Sequence, residues 1–292
     1  MGHLEGQVRS VFETFSRGNF NVVEVRFPKE RSVDVVARRK GQRAVVKVTS
    51  NPSRMALAEF NELRKLATAY GASPIVVAQK YGTKTLEDDV VYKKDDVFIV
   101  SQRLLENYIV RGVKPLVIGM GGRYFVELDA AKFVRRLREL GMKRSELAEA
   151  ARISKKSVYL YEQGARYMSL EVAIRVADVL GEDLFVEQDI LKCERRAVDQ
   201  DSPSDSFENL LYAEAQQRGM RFYKLSRTPI DFVLGGERSS LSVTILSEGV
   251  GDESDAKEKL ENAEDVASAM GSDHFVLRSK DESELRRALR AL

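Results

Sequence analysis

The sequence predicts a multidomain α+β protein in which a small helical bundle stands between two degenerate, mutually related α/β domains. Three observations predict it. Residues 133–180 carry four short amphipathic helices separated by tight turns. Residues 8–79 and 210–278 run through one common order of helix, three strands, helix and strand. Charge also divides along the chain, with ten Lys/Arg against four Asp/Glu in residues 132–166 and twelve against nineteen in residues 199–292. With 292 residues and 43% apolar side chains the chain suits two or three compact cores. The expected partition is 1–115, a first α/β domain; 116–131, a hairpin connector; 132–197, the helical domain; and 206–292, the second α/β domain.

In the first α/β copy, Val8 to Phe15 reads as a helix ending near Gly18. Extended runs follow at Val22–Phe27, Ser32–Ala37 and Arg43–Thr49. A helix through Leu63–Ala67 stops at Gly71, and Pro74–Ala78 returns as a strand. The last crossover is too long for a hairpin, so the sheet is mixed and carries helices on its faces. Leu86–Tyr92, Val97–Val100 and an amphipathic helix from Gln102 to Val110 are expected to complete this domain. Apolar alternation in Leu116–Leu128 around Gly121-Gly122 then reads as a β-hairpin. The alternative, a phosphate-binding loop at Gly119, Gly121 and Gly122, has neither a lysine at P-loop spacing nor a helix directly behind it.

In the bundle, Phe133, Leu137 and Leu140 recur at helical spacing, and Gly141 closes the first helix. Leu147, Ala148 and Ala151 form the inner stripe of the second helix, with Ile153 plugging the turn. Ser154 caps the third helix, in which Val158 and Tyr161 face inward while Lys155, Lys156 and Tyr159 point outward. Ser169 opens a fourth helix with a Leu170, Ala173, Ala177, Leu180 stripe, stopped by Gly181. The polar stretch Val198–Ser206 reads as a linker. Beyond it the second α/β copy repeats the first: Leu210–Gln217, Met220–Leu225, Ile230–Leu234, Leu241–Leu246, a helix ending at Gly271, then His274–Leu277.

The Glu-Leu-Ala of residues 146–148, the Ile153-Ser154 turn, the Tyr161-Glu-Gln-Gly164 end and the Ser169-Leu-Glu opening stand in one register. In that register residues 133–182 resemble the Cro/C1 (XRE-like) helix-turn-helix domain. The resemblance implies that the third helix enters the major groove of double-stranded DNA while the second crosses the backbone. It places Lys155, Lys156, Ser157, Tyr159 and Leu160 against base edges or flanking phosphates, and Lys143 and Arg144 against phosphate. Tyr159 has an alternative place on a protein interface, and Leu160 either meets a thymine methyl or packs inside. Arg135, Arg136 and Arg138 are either solvated or phosphate-bound. Two departures stand out: Arg152 replaces the usual turn glycine, and Arg144 replaces a glutamine that commonly begins the second helix.

The strand and helix order of both α/β copies resembles the restriction-endonuclease-like fold. Its active form needs an Asp near the second strand, then an acid, one spacer and a Lys on the third, to hold and deprotonate a metal-bound water. Asp34 and Lys47 fill two of those places, but Val45 stands where the acid belongs. The second copy offers Asp231, Ser242 and Thr244. Valine cannot coordinate a hard cation, so no catalytic residue, metal or cofactor is expected and the copies read as scaffolds.

The segments Leu86-Glu-Asp-Asp-Val-Val-Tyr92, Gly121-Gly-Arg-Tyr-Phe-Val-Glu-Leu128 and Ser169-Leu-Glu-Val-Ala-Ile174 resemble a family of archaeal Cro/C1-type transcriptional regulators. The resemblance implies DNA-binding regulation; a non-enzymatic homodimer is the expected form, with a monomer in which the two nuclease-like copies supply the interface through their pseudo-symmetry as the alternative. The alternatives are a structure-specific nuclease working through the first copy and a protein-interaction scaffold. A single cysteine, Cys193, excludes an internal disulfide, and two histidines, His3 and His274, exclude a zinc cluster. No apolar run approaches the roughly 18 to 20 residues of a membrane span and the start carries no signal pattern, so a cytoplasmic location without membrane contact is expected.

Overall fold

The computed structural model describes residues 2–192, 198–236, 239–246 and 253–290. Cys193 lies outside them. Packing divides the chain into two units, Met1–Thr85 together with Ile190–Leu292, and Leu86–Asp189.

The first unit begins with α1 (Gly2–Arg17), whose Val8, Val11 and Phe15 are buried at helical spacing. Strands β1 (Asn21–Glu24), β2 (Val35–Arg39) and β3 (Gln42–Thr49) form an antiparallel meander. Helix α2 (Leu57–Tyr70) then carries the chain back so that β4 (Ser73–Ala78) pairs with β3 in parallel. Consecutive Ala44, Val45 and Val46 are all buried, because helices cover both faces of this sheet. A small hairpin, β5 (Lys80–Tyr81) with β6 (Lys84–Thr85), ends the segment.

The second unit opens with β7 (Val90–Lys94), β8 (Val97–Val100) and α3 (Gln102–Arg111), capped by the Ser101 side chain. Strands β9 (Val117–Met120) and β10 (Arg123–Leu128) form the expected hairpin, and Gly121 and Gly122 turn it at φ of +57° and +77°. Both angles are positive, as a two-residue hairpin matched to strand twist requires. Gly119 has a packing reason of its own. A Cβ there would sit 2.7 Å from Cε1 of Tyr92, the residue paired with it across from β7.

Next come α4 (Ala130–Glu139), α5 (Arg144–Ala150), α6 (Lys155–Glu162), β11 (Tyr167–Ser169), α7 (Leu170–Leu180) and β12 (Phe185–Val186). Both β11 and β12 pair with β10, and Val126 and Leu128 share one core with Phe133, Leu147, Val158 and Val176. Residues 116–131 are therefore continuous with the bundle rather than a connector to it, and residues 86–115 group with them. Two details of the expected stripes change. Leu140 is 53% exposed, since α4 ends before it, and Val176 rather than Ala177 is fully buried.

The chain then rejoins the first unit through α8 (Ser206–Gln217), β13 (Arg221–Lys224), β14 (Phe232–Gly235), β15 (Ser240–Ile245), α9 (Glu253–Met270), β16 (Asp273–Leu277) and α10 (Glu282–Arg290). The meander β13, β14, β15 with a parallel β16 repeats the first copy. Matching bonds fix the equivalence: Asp34 N–H donates to Val46 O at 2.8 Å, and Asp231 N–H to Val243 O at 3.0 Å. The expected linker is docked rather than free. Asp201 accepts from Lys65 Nζ at 2.7 Å and from Lys224 N–H at 2.8 Å.

The two copies grip each other reciprocally. Helix α2 packs on β13 and β14, and α9 packs on β1 and β2. The Glu62 carboxylate accepts from Ser226 N–H and Oγ, both at 2.9 Å, and from Arg227 N–H. Asn262 answers from α9, accepting from Arg26 N–H at 2.8 Å and Phe27 N–H at 3.2 Å and donating to Glu24 O at 3.0 Å. Gly235 is where α2 comes closest, since a Cβ there would collide with the Ala69 carbonyl and lie 2.8 Å from Ala69 Cα. Gly235→Ala is thus expected to destabilise this unit by about 1–3 kcal/mol, the usual cost of overpacking, measured by urea unfolding. A neutral result would show that the helix can shift freely.

Candidate nucleic-acid interface

Helix α6 is short because the sequence caps it sharply. Ser154 is extended at φ −75°, ψ 148°, and its Oγ accepts from Ser157 N–H at 2.9 Å. The side chain of Ser157, half-buried, bonds Ser154 Oγ at 2.8 Å. The turn before it places Arg152 at φ +52°, a left-handed conformation that glycine adopts without penalty and arginine does not.

One face of α6 anchors it. Val158 is fully buried, and Tyr161 meets Phe133 edge-on with ring centroids 6.1 Å apart. Burial pushes the Tyr161 hydroxyl above the usual tyrosine range, so it stays protonated. The opposite face is open: Lys155 and Lys156 are exposed, as are Tyr159 at 45% and Leu160 at 47%. Leu160 does not pack inside. Two lysines on the first turn oppose the helix dipole, an arrangement that gains from an anion placed between them.

The start of α5 adds to this face. Lys143 is its N-cap and is exposed, its backbone N–H donating to Glu146 Oε2 at 2.8 Å. Arg144 reaches across to α6. Its Nη2 lies 2.6 Å and its Nε 2.8 Å from Glu162 Oε2, and its guanidinium sits 5.0 Å from the Tyr159 ring centroid. Glu162 belongs to the Tyr161-Glu-Gln-Gly164 end of the helix-turn-helix register, but nothing in the sequence pairs it with Arg144. Of the three arginines on α4, Arg136 serves structure: it pairs with Asp183 at 2.8 Å and donates to the Leu180 carbonyl that ends α7.

The nuclease-like positions come together, but as closed charge networks. Asp34 Oδ2 accepts from Val48 N–H at 2.7 Å and lies 3.4 Å from Lys47 Nζ, while Oδ1 lies 2.9 Å from Arg31 Nε. Lys47 Nζ is also 3.1 Å from Glu59 on α2, a carboxylate that a strand-based search for the acid passes over. In the second copy the cation comes from the helix instead, with Lys259 Nζ 2.8 Å from Asp231. A hard divalent ion wants six or more oxygen ligands, whereas Lys47 meets two carboxylates here, Asp34 and Glu59, and among the described residues no three acidic, histidine or cysteine side chains gather as a metal site.

Two family matches cover different parts of the chain. The PD-(D/E)XK superfamily domain matches residues 5–115, and the helix-turn-helix family matches residues 134–186. A protein of Pyrococcus furiosus named "Putative HTH-type transcriptional regulatory protein" is 30% identical over 212 residues, covering 72% of this chain and 67% of its own length. This chain belongs to that archaeal HTH-type regulator family. A Pyrococcus horikoshii regulator of the family is 29% identical over 258 residues, 87% of this chain and 81% of its own, and one from Archaeoglobus fulgidus is 25% identical over 226 residues, 77% and 73%. No solved structure shows a significant match. The chain thus joins a PD-(D/E)XK superfamily domain to a helix-turn-helix, and none of its described helices is long and apolar enough to cross a membrane.

Proposed function

We propose that this protein is a sequence-specific, cytoplasmic transcriptional regulator that reads double-stranded DNA by setting α6 into the major groove. The observation that carries the reading is the two-faced character of α6, whose Val158 is locked in the core while Lys155, Lys156, Tyr159 and Leu160 are offered to solvent. Lys155, Lys156, Ser157, Tyr159 and Leu160 then lie at base edges or flanking phosphates, and Lys143 and Arg144 engage phosphate across the groove. Tyrosine and leucine at such a surface favour stacking and thymine-methyl contact over a purely ionic hold. A homodimer would set two such helices about 34 Å apart, matching half-sites one helical turn apart. Selection from a random duplex library, followed by footprinting, tests both points. A recovered motif with protection centred on one or two half-sites is expected; no duplex affinity at low salt would refute the reading.

The nuclease-like copies act in this proposal as non-cleaving scaffolds, supported by the cations that already fill Asp34 and Asp231. Incubation with linear and branched DNA plus magnesium or manganese is expected to leave substrates intact. Cleavage lost on Asp34→Asn would establish an enzyme instead.

A further inference from the structure

The Arg144–Glu162 pair is an odd investment on a DNA-facing surface. An exposed ion pair contributes about 0–1 kcal/mol to folding, and a carboxylate beside a groove-binding helix repels phosphate. Glu162 is nonetheless well covered, at 21% exposure, and its Oε2 takes both Nε and Nη2 of Arg144. That grip leaves Nη1 without a protein partner among the described residues, on a side chain 47% exposed. It also lays the guanidinium over the exposed face of Tyr159. Two long side chains, from the first turn of α5 and the outer face of α6, are thereby held as one rigid body.

We propose that Glu162 is a positioning residue for DNA recognition. It fixes Arg144 against Tyr159, so that the free edge of the guanidinium takes a phosphate while the tyrosine ring is set against the base edges. The proposal rests on α6 entering the groove. Arginine suits this double use because its planar fork offers one edge to a carboxylate and another to a phosphate while its face stacks on an aromatic ring. Fixing the pair before binding removes rotamer entropy that would otherwise be lost at the interface.

The test turns on sign. If Glu162 acted only as a charge, Glu162→Gln would tighten binding to every duplex. As a positioning residue, its loss weakens the selected duplex by about tenfold, equivalent to about 1.4 kcal/mol, while affinity for a scrambled duplex of the same length holds or rises. Melting temperature stays unchanged. In an Arg144→Ala background the same substitution causes no further loss on the selected duplex. Equal tightening on both duplexes, or a loss that tracks a fall in melting temperature, would overturn the proposal. Lys155→Ala with Lys156→Ala separates the two levels. If that variant binds as the wild type does, the α6 reading itself has failed; if it weakens while Glu162→Gln does not, only the positioning role is lost.

Discussion

Lys155→Ala combined with Lys156→Ala is expected to weaken duplex binding by on the order of tenfold or more at moderate salt and to flatten its salt dependence. Each phosphate neutralised on a duplex releases condensed counterion and contributes about 0.9 to the slope of log affinity against log salt. Two lost contacts should therefore reduce the slope by about 1.8, with wild type and variant converging as salt rises. Both lysines are exposed on the first turn of α6 and neither helps to close the core, so folding should be unaffected. Titrations by fluorescence anisotropy at several salt concentrations read the slope directly. An unchanged slope would mean that α6 does not face phosphate, and the regulatory surface would have to be sought elsewhere.

The second large effect is on folding. Glu62→Ala is expected to destabilise the first unit by about 3 kcal/mol or more, because it strands two backbone N–H groups and one hydroxyl in a buried interface. Those donors are Ser226 N–H, Ser226 Oγ and Arg227 N–H, and Glu62 itself is 7% exposed. For a unit of this size the melting temperature should fall by roughly 10 °C. Glu62→Gln, which keeps an acceptor oxygen for the loop, should cost clearly less. If alanine and glutamine were equally mild, the clasp between the copies would be ornamental and their association would rest on apolar packing alone.

Much of the bundle was legible because its signals are local. Gly141, the Ser154 cap and the spacing of Leu147, Ala148 and Ala151 each act within one or two helical turns, where sequence distance and spatial distance agree. The outward placement of Lys155, Lys156 and Tyr159 follows from the inward placement of Val158 by helical geometry alone. Arg144 shows the limit. Its substitution for glutamine was visible, but its partner Glu162 lies 18 residues away on the next helix, and no periodicity links them.

The nuclease-like copies show the same limit over longer distances. Val45 in place of an acid was readable from the strand pattern. Glu59 beside Lys47, and Lys259 beside Asp231, come from helices that return over the sheet, so only the packed fold could pair them. Likewise, residues 116–131 read correctly as a hairpin but not as the strands on which β11 and β12 close the bundle.

The sequence by itself determined the main helices and strands of both α/β copies and of the bundle, though not β5, β6, β11, β12 or α10, and it showed that the flanking domains are copies of one another with a helix-turn-helix between them. Those properties are set by backbone preference and by apolar spacing within a few residues. Only the tertiary structure decided that the copies clasp each other through Glu62 and Asn262, that cations close the nuclease-like positions, and that Arg144 is tied to Tyr159 and Glu162. Such pairings depend on how whole elements dock. A polar side chain carries no mark in the sequence of the distant group that will satisfy it, since burial and partner are chosen together when the surfaces meet.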